Sequence, residues 1–301
     1  MNSLNFRKQR FNNLVEYYGV QKFDELVGYW VIPNNLLNDL RRTIGVYIAK
    51  SLHFEYTENE DIFLERLESR REDRLNVTPN GAVVPKKEFT VEYNAYIKAY
   101  SDIVRELVKN NPNYLNKVRM TPNVRIKFAE EFEDNHNRPQ NTSYPHTDAW
   151  LEGPWGIICH IPVLGDSTNN YLRFYKINDE STFSDDLLAT AEDFKSMQWT
   201  LQHYTPINEK PLKGCINFCD YALLHETVRT NHAKTRISMD FTLYFGEHDV
   251  IPSRQPEYLK EIPKIGEDTF VRLLQSENKD FKERINALYH YSFGTIEYMK
   301  I

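Results

Sequence analysis

Two histidines and an aspartate carry the clearest chemical potential in this sequence. His146 and Asp148 flank Thr147 in the run Ser143-Tyr144-Pro145-His146-Thr147-Asp148-Ala149-Trp150, and His225 follows 79 residues after His146. On an extended strand, residues two apart face the same side, so the imidazole and the carboxylate would point at one metal ion. Two His and one carboxylate on one side of a metal leave open coordination positions, a donor set suited to iron(II) and also to zinc. Alone the pair says little: with nine His and 17 Asp in the chain, chance supplies about half a His-x-Asp match. His225 alone is equally readable as a buried histidine bonded to a carbonyl.

A third segment adds a different chemistry. Thr235–Phe245 alternates strictly, with Ile237, Met239, Phe241, Leu243 and Phe245 on one face and Arg236, Ser238, Asp240, Thr242 and Tyr244 on the other. The polar side of a half-exposed edge strand would be merely solvated. An Arg beside a Ser is also what a carboxylate ligand needs, a planar fork plus a hydroxyl donor, and Arg236 lies 11 residues after His225. His232 fits the turn Thr230-Asn231-His232 better than a ligand position. Tyr144, Trp150, Trp155 and Arg229 flank the candidate ligands and are placed to touch a substrate, although aromatics in a β-core usually pack. Arg125 and Lys127 share a strand face that would bind an acidic group or form a solvated basic edge. Cys215 and Cys219 lack zinc-knuckle spacing and read, with Cys159, as reduced core residues.

These side chains need a scaffold from remote parts of the chain. Helical periodicity marks Asn34–Leu52, Glu60–Arg74 and Val91–Lys109 within a mainly helical N-terminal part, residues 1–120. From 121 to 250, β-rich runs predict strands at Val124–Phe132, Trp155–Val163, Tyr171–Ile177, Met197–Tyr204, Cys215–Asp220 and Thr235–Phe245. A second strand is expected to begin at His225. Helical patterns return at Asp268–Ser276 and Lys279–Tyr289 in a C-terminal part, 251–301. The whole reads as one domain, mainly β, a sandwich or jelly roll with helices packed outside.

Composition narrows the function classes. The 301 residues are 41% hydrophobic and 27% charged, which excludes a disordered or collagen-like chain. A net charge of −6 argues against general nucleic-acid binding. With no 20-residue apolar run and no apolar signal core at the N-terminus, the expectation is a soluble cytoplasmic protein.

In order and spacing, His146-x-Asp148, then His225, then Arg236-x-Ser238 resembles the Fe(II)/2-oxoglutarate-dependent dioxygenases over about Thr121 to Phe245. The resemblance implies a double-stranded β-helix core (jelly-roll, cupin-like), with His146, Asp148 and His225 as iron ligands and Arg236 and Ser238 holding the distal carboxylate of 2-oxoglutarate. It also implies hydroxylation of a small polar metabolite or an amino-acid- or sugar-like substrate by O2 with release of succinate and CO2; the sequence departs from halogenating relatives, which carry a small residue where Asp148 stands. The blocks at 145–150, 165–170 and 173–175 are similar to oxygenases of streptomycin-type biosynthetic clusters. Two readings from other classes compete: a non-catalytic jelly-roll binder and a zinc hydrolase. Arg236-x-Ser238 speaks against the hydrolase.

Overall fold

The computed structural model describes residues 4–73, 75–132, 140–153, 156–191, 193–246, 263–266, 269–274 and 296–300. Helices come first: α1 (Leu4–Tyr18), α2 (Asn34–Ser51), α3 (Glu60–Glu68) and α4 (Thr90–Val108). On the last of these Tyr93, Tyr96, Ile97, Tyr100, Ile103, Val104 and Leu107 form one buried stripe. Its Tyr93 and Tyr96 pack on Tyr47 of α2 at 5.6 and 5.2 Å. Asn59 caps α3, its side chain accepting from the Ile62 N–H at 3.1 Å, and the helix ends at Glu68, before the expected Arg74.

Strands β1 (Gln21–Asp24), β2 (Val27–Val31), β3 (Leu115–Val118), β4 (Asn123–Lys127), β5 (Gly156–Gly165), β6 (Asn170–Ile177), β7 (Tyr204–Pro206), β8 (Cys215–Asp220), β9 (His225–Arg229) and β10 (Arg236–Phe245) build two sheets. The larger has the order β1-β2-β8-β5-β10-β3, with β4 also pairing β10; the smaller has the order β7-β6-β9. His146 joins the smaller sheet by a two-way bridge to His225, at 3.0 and 2.8 Å. From β4 onward the chain alternates between them: β4 large, His146 small, β5 large, β6 and β7 small, β8 large, β9 small, β10 large. This alternation is a double-stranded β-helix, a jelly roll with flanking helices.

Strand β10 shows why the layers stack this way. Its apolar face is buried and meets the helical layer, where Tyr100 of α4 packs edge-on against Phe241 at 4.8 Å. Burying a side chain of that size stabilises by roughly 1.5–3 kcal/mol. By the period of two, its polar face turns into the space between the sheets. The strand is therefore central, flanked by β4 and β5, and the half-exposed edge is ruled out.

Two expectations need correction. Met197–Tyr204 is not a strand: Lys195–His203 is a 3₁₀ helix that buries Met197 and Thr200, three residues apart, as the three-residue turn requires. Only Tyr204 continues into β7. The first 120 residues also supply β1, β2 and β3 to the large sheet; β2 runs along β8, a pairing no local pattern announces. The described part of Asp268–Ser276, residues 269–274, is not a helix either. Residues Thr269–Leu273 form β11, paired with β12 (Ile296–Lys300), with Val271 and Leu273 buried around an exposed Arg272. The Asn94 side chain of α4 grips this strand in place of a neighbour, bonding both the Val271 N–H and C=O at 2.8 and 2.7 Å. Lys279–Tyr289 lies outside the described residues. Among the described residues no helix is long and apolar enough to cross a membrane.

Candidate metal centre and anion pocket

His146, Asp148 and His225 converge: each offers a ligand atom, and these atoms lie within 4.8 Å of one another. The backbone bridge fixes both histidines, leaving their rings 4.3 Å apart. Phe194 stacks on the His146 ring at 4.6 Å and 11°. His146 Nδ1 donates to the Tyr144 carbonyl at 2.8 Å, which fixes the tautomer and frees Nε2 for a metal. The route by which Asp148 arrives differs from the expected extended strand. Asp148 is helical (φ −64°, ψ −21°) and precedes the short helix α5 (Ala149–Glu152). Thr147 anchors that turn, donating its hydroxyl to the Tyr221 carbonyl. The Asp148 carboxylate ends 3.8 Å from His225 Nε2 and, at 34% exposed, is the most open of the three.

Electrostatics favour ligation. Burial, helped by His225, pushes His146 well below the ordinary imidazole pKa, and burial pushes His225 down to about 4. Both rings are thus neutral near pH 7, the form that ligates a metal. The donor set fits a first-row divalent ion with free coordination positions.

The large sheet supplies the other half of the interior. Arg236 and Ser238 are both buried, yet Arg236 Nε and one terminal nitrogen, and Ser238 Oγ, have no hydrogen-bond partner among the described residues. Burial lowers the Arg236 guanidinium to about 10, still charged at neutral pH. Unpartnered buried donors of this kind are rare, and a carboxylate is the acceptor that a guanidinium beside a hydroxyl takes. Asp240 is not available to them. It pairs with Arg125 and accepts from His160 Nδ1 at 2.9 Å; burial works against its charge, but these two partners outweigh it and hold its pKa below the ordinary value. The charges of Asp240 and Arg125 act on His225, so the metal candidates and the inner face of β10 share one interior.

The remaining sequence candidates divide. Arg125 and Lys127 face the interior and are not a solvated edge. Arg229 donates Nε–H to the Phe128 carbonyl at 2.9 Å and lies 3.9 Å from Glu131. Tyr144 is partly buried beside His146. Trp150 is a correction: it is fully buried and its indole N–H is bonded to the Leu187 carbonyl at 2.8 Å, so it packs and offers no surface to a substrate. Trp155 lies outside the described residues. His232 is exposed in a turn, and the three cysteines are free and buried. Sequence reasoning missed His160. Its signal was a lone imidazole in the apolar run Gly156–Gly165, where a polar side chain needs a partner.

No family model matches the chain, and no curated protein is similar to it in sequence. Among solved structures it is similar to the non-heme alpha ketoglutarate dependent carbocyclase SnoK from nogalamycin biosynthesis, at 11% identity and TM-score 0.41 over 84% of this chain and 91% of that one. It is similar to the epimerase SnoN in complex with Fe3+, alpha ketoglutarate and nogalamycin RO, at 12% and 0.41 over 95% and 100%. A prolyl-4-hydroxylase from Pseudomonas putida matches at 10% and 0.36 over 79% and 92%. Likeness at these levels leaves the reading of the site to the chain's own residues.

Proposed function

We propose that this protein is a non-haem Fe(II)/2-oxoglutarate-dependent oxygenase that hydroxylates a small molecule. The observation that carries the reading is the pairing, in one interior, of a His146/Asp148/His225 donor set with a buried guanidinium and hydroxyl that lack partners among the described residues. Bound iron(II) and 2-oxoglutarate would couple oxidative decarboxylation of the oxo acid, to succinate and CO2, with oxidation of a substrate C–H bond by O2. The chain's own part is binding and positioning. His146, Asp148 and His225 hold the metal; Arg236 and Ser238 seat the distal carboxylate; Phe194 and the Tyr144 carbonyl fix the His146 ring. The jelly-roll walls exclude water from the reacting region.

The open side of Asp148 marks the way in for substrate, past Tyr144, with Arg125 and Arg229 lining the interior. Because a carboxylate fills position 148, the halogenating variant of this chemistry is disfavoured. The donor set weighs against a jelly roll that only binds a ligand, and the unpartnered guanidinium weighs against a zinc hydrolase. The narrower likeness to streptomycin-type oxygenases rests on sequence blocks that have structural work here. Asp166 accepts from the backbone N–H groups of Thr168, Asn169 and Lys234, and Arg173 pairs with Glu226.

Anaerobic equilibrium dialysis against Fe(II) tests the metal assignment. Wild type should bind one iron, His146→Ala and His225→Ala should lose it, and His232→Ala should keep it. Retention by His225→Ala together with loss by His232→Ala would overturn the ligand set.

A further inference from the structure

Among the described residues, the interior holds more positively charged side chains than carboxylates paired with them. Four cationic side chains belong to it: Arg125 and Lys127 from β4, Arg229 from β9 and Arg236 from β10. Arg125 meets Asp240, and Arg229 lies 3.9 Å from Glu131. Lys127 and Arg236 are left without a carboxylate partner among the described residues. They are direct cross-strand partners in the β4–β10 register, so their side chains leave the same face with Cβ atoms about 4.5–5.5 Å apart.

Lys127 is 6% exposed, and among the described residues its ammonium makes one hydrogen bond, to the neutral Thr142 hydroxyl at 3.2 Å. Burial, then the charges of Arg229, Arg125 and Arg236, hold it well below the ordinary lysine pKa. Glu131 acts on it only at a distance and already has Arg229 and the Ser143 hydroxyl. A single buried cation without a counter-charge is unfavourable, and a second one beside it more so. An anion lying across both removes the conflict. Arg236 offers a flat pair of N–H groups, Ser238 a hydroxyl two residues along the same face, and Lys127 an ammonium from the neighbouring strand. A carboxylate has about four lone-pair directions, enough for all of them.

We infer that Lys127 is a second cationic contact for the carboxylate seated on Arg236 and Ser238, and that this two-cation seat makes the protein select a 2-oxo acid bearing a distal carboxylate over one without it. The inference rests on the function proposed above. It gives Lys127 a role in specificity; a purely structural lysine would only tie β4 to the Thr142 loop.

The test compares two 2-oxo acids, 2-oxoglutarate and 2-oxobutanoate, which present the same metal-chelating end and differ in the distal carboxylate. Each is titrated anaerobically into the full-length Fe(II)-loaded protein, reading the visible metal-to-ligand charge-transfer band. Wild type should prefer 2-oxoglutarate. Lys127→Met should weaken 2-oxoglutarate by about tenfold or more, the loss of one charge-assisted bond, and leave 2-oxobutanoate within about twofold. Lys127→Arg should recover most of the loss. Should the Met variant not fold, Lys127→Gln, which can still bond the Thr142 hydroxyl, reads the same difference. An equal loss for both acids, or no loss for either, would overturn the role of Lys127. No band with either acid in wild type would overturn the proposed function itself, so the two failures are distinguishable.

Discussion

Arg7 and Arg236 are each 1% exposed, and they sit in opposite circumstances. Arg7, on α1, meets Asp220 at the end of β8 at 2.6 Å, and the same Asp220 oxygen accepts from the Ala222 N–H at 2.8 Å. That ion pair clips the first helix to the large sheet. Arg236 faces the interior with two nitrogens unpartnered, while the carboxylate nearest along its strand, Asp240, is committed to Arg125 and His160. Identical burial with and without a paired carboxylate among the described residues separates a charge that holds the fold together from one that waits for a ligand.

Substitutions at the two arginines should break this contrast in opposite ways. Arg7→Met leaves Asp220 buried without its partner and should cost about 3–5 kcal/mol of stability in denaturant unfolding, with 2-oxoglutarate affinity of the folded protein unchanged. Adding Asp220→Leu should recover much of that loss, since a buried pair replaced by packed apolar groups is often near neutral. Arg236→Lys should change stability little and weaken 2-oxoglutarate by about tenfold to a hundredfold, because an ammonium cannot reproduce the planar fork. If it instead unfolds the protein and spares the ligand, the contrast is wrong. Ser238→Ala removes one neutral hydrogen bond, so a loss of about 0.5–1.5 kcal/mol in cosubstrate affinity is expected, rescued by excess cosubstrate.

The imidazoles sharpen the comparison through pH. His146 and His225 have pKa values below the unfolded value of about 6.5, with His225 near 4. Between those limits the unfolded chain binds more protons than the folded one, so metal-free protein should lose stability as pH falls from about 6.5 towards 4. Thermal melts across that range check the sign. Saturating Fe(II) should raise the melting temperature above pH 6.5 and help progressively less below it, because protons compete for the same nitrogens.

Much of the site was legible because strand periodicity and ligand spacing are local properties. The alternation in Thr235–Phe245 placed Arg236 and Ser238 on one face, and helical periodicity located α2 and α4. Sequence could not say whether the polar face of β10 met water or an enclosed interior, since that depends on β4 and β5 arriving from remote segments. Nor could it show that Arg236 and Lys127 become neighbours, a consequence of register alone. Asp148 reached the expected cluster by an unexpected backbone, a helical turn pinned by Thr147. Met197–Tyr204 misled because a short apolar pattern fits a three-residue turn as well as a strand. At Asp268–Ser276 the strand depends on pairing with β12 and on the Asn94 side chain, contacts distant in sequence.

The most direct test of the central claim, that one interior joins a metal site to a carboxylate seat, is an anaerobic absorbance titration of the wild-type protein with Fe(II) and then 2-oxoglutarate. The expected result is a visible charge-transfer band that appears only when both are present, saturates at one of each per chain, and is absent from His146→Ala. A protein that binds Fe(II) yet gives no band and no change in 2-oxoglutarate binding on adding the metal would contradict it.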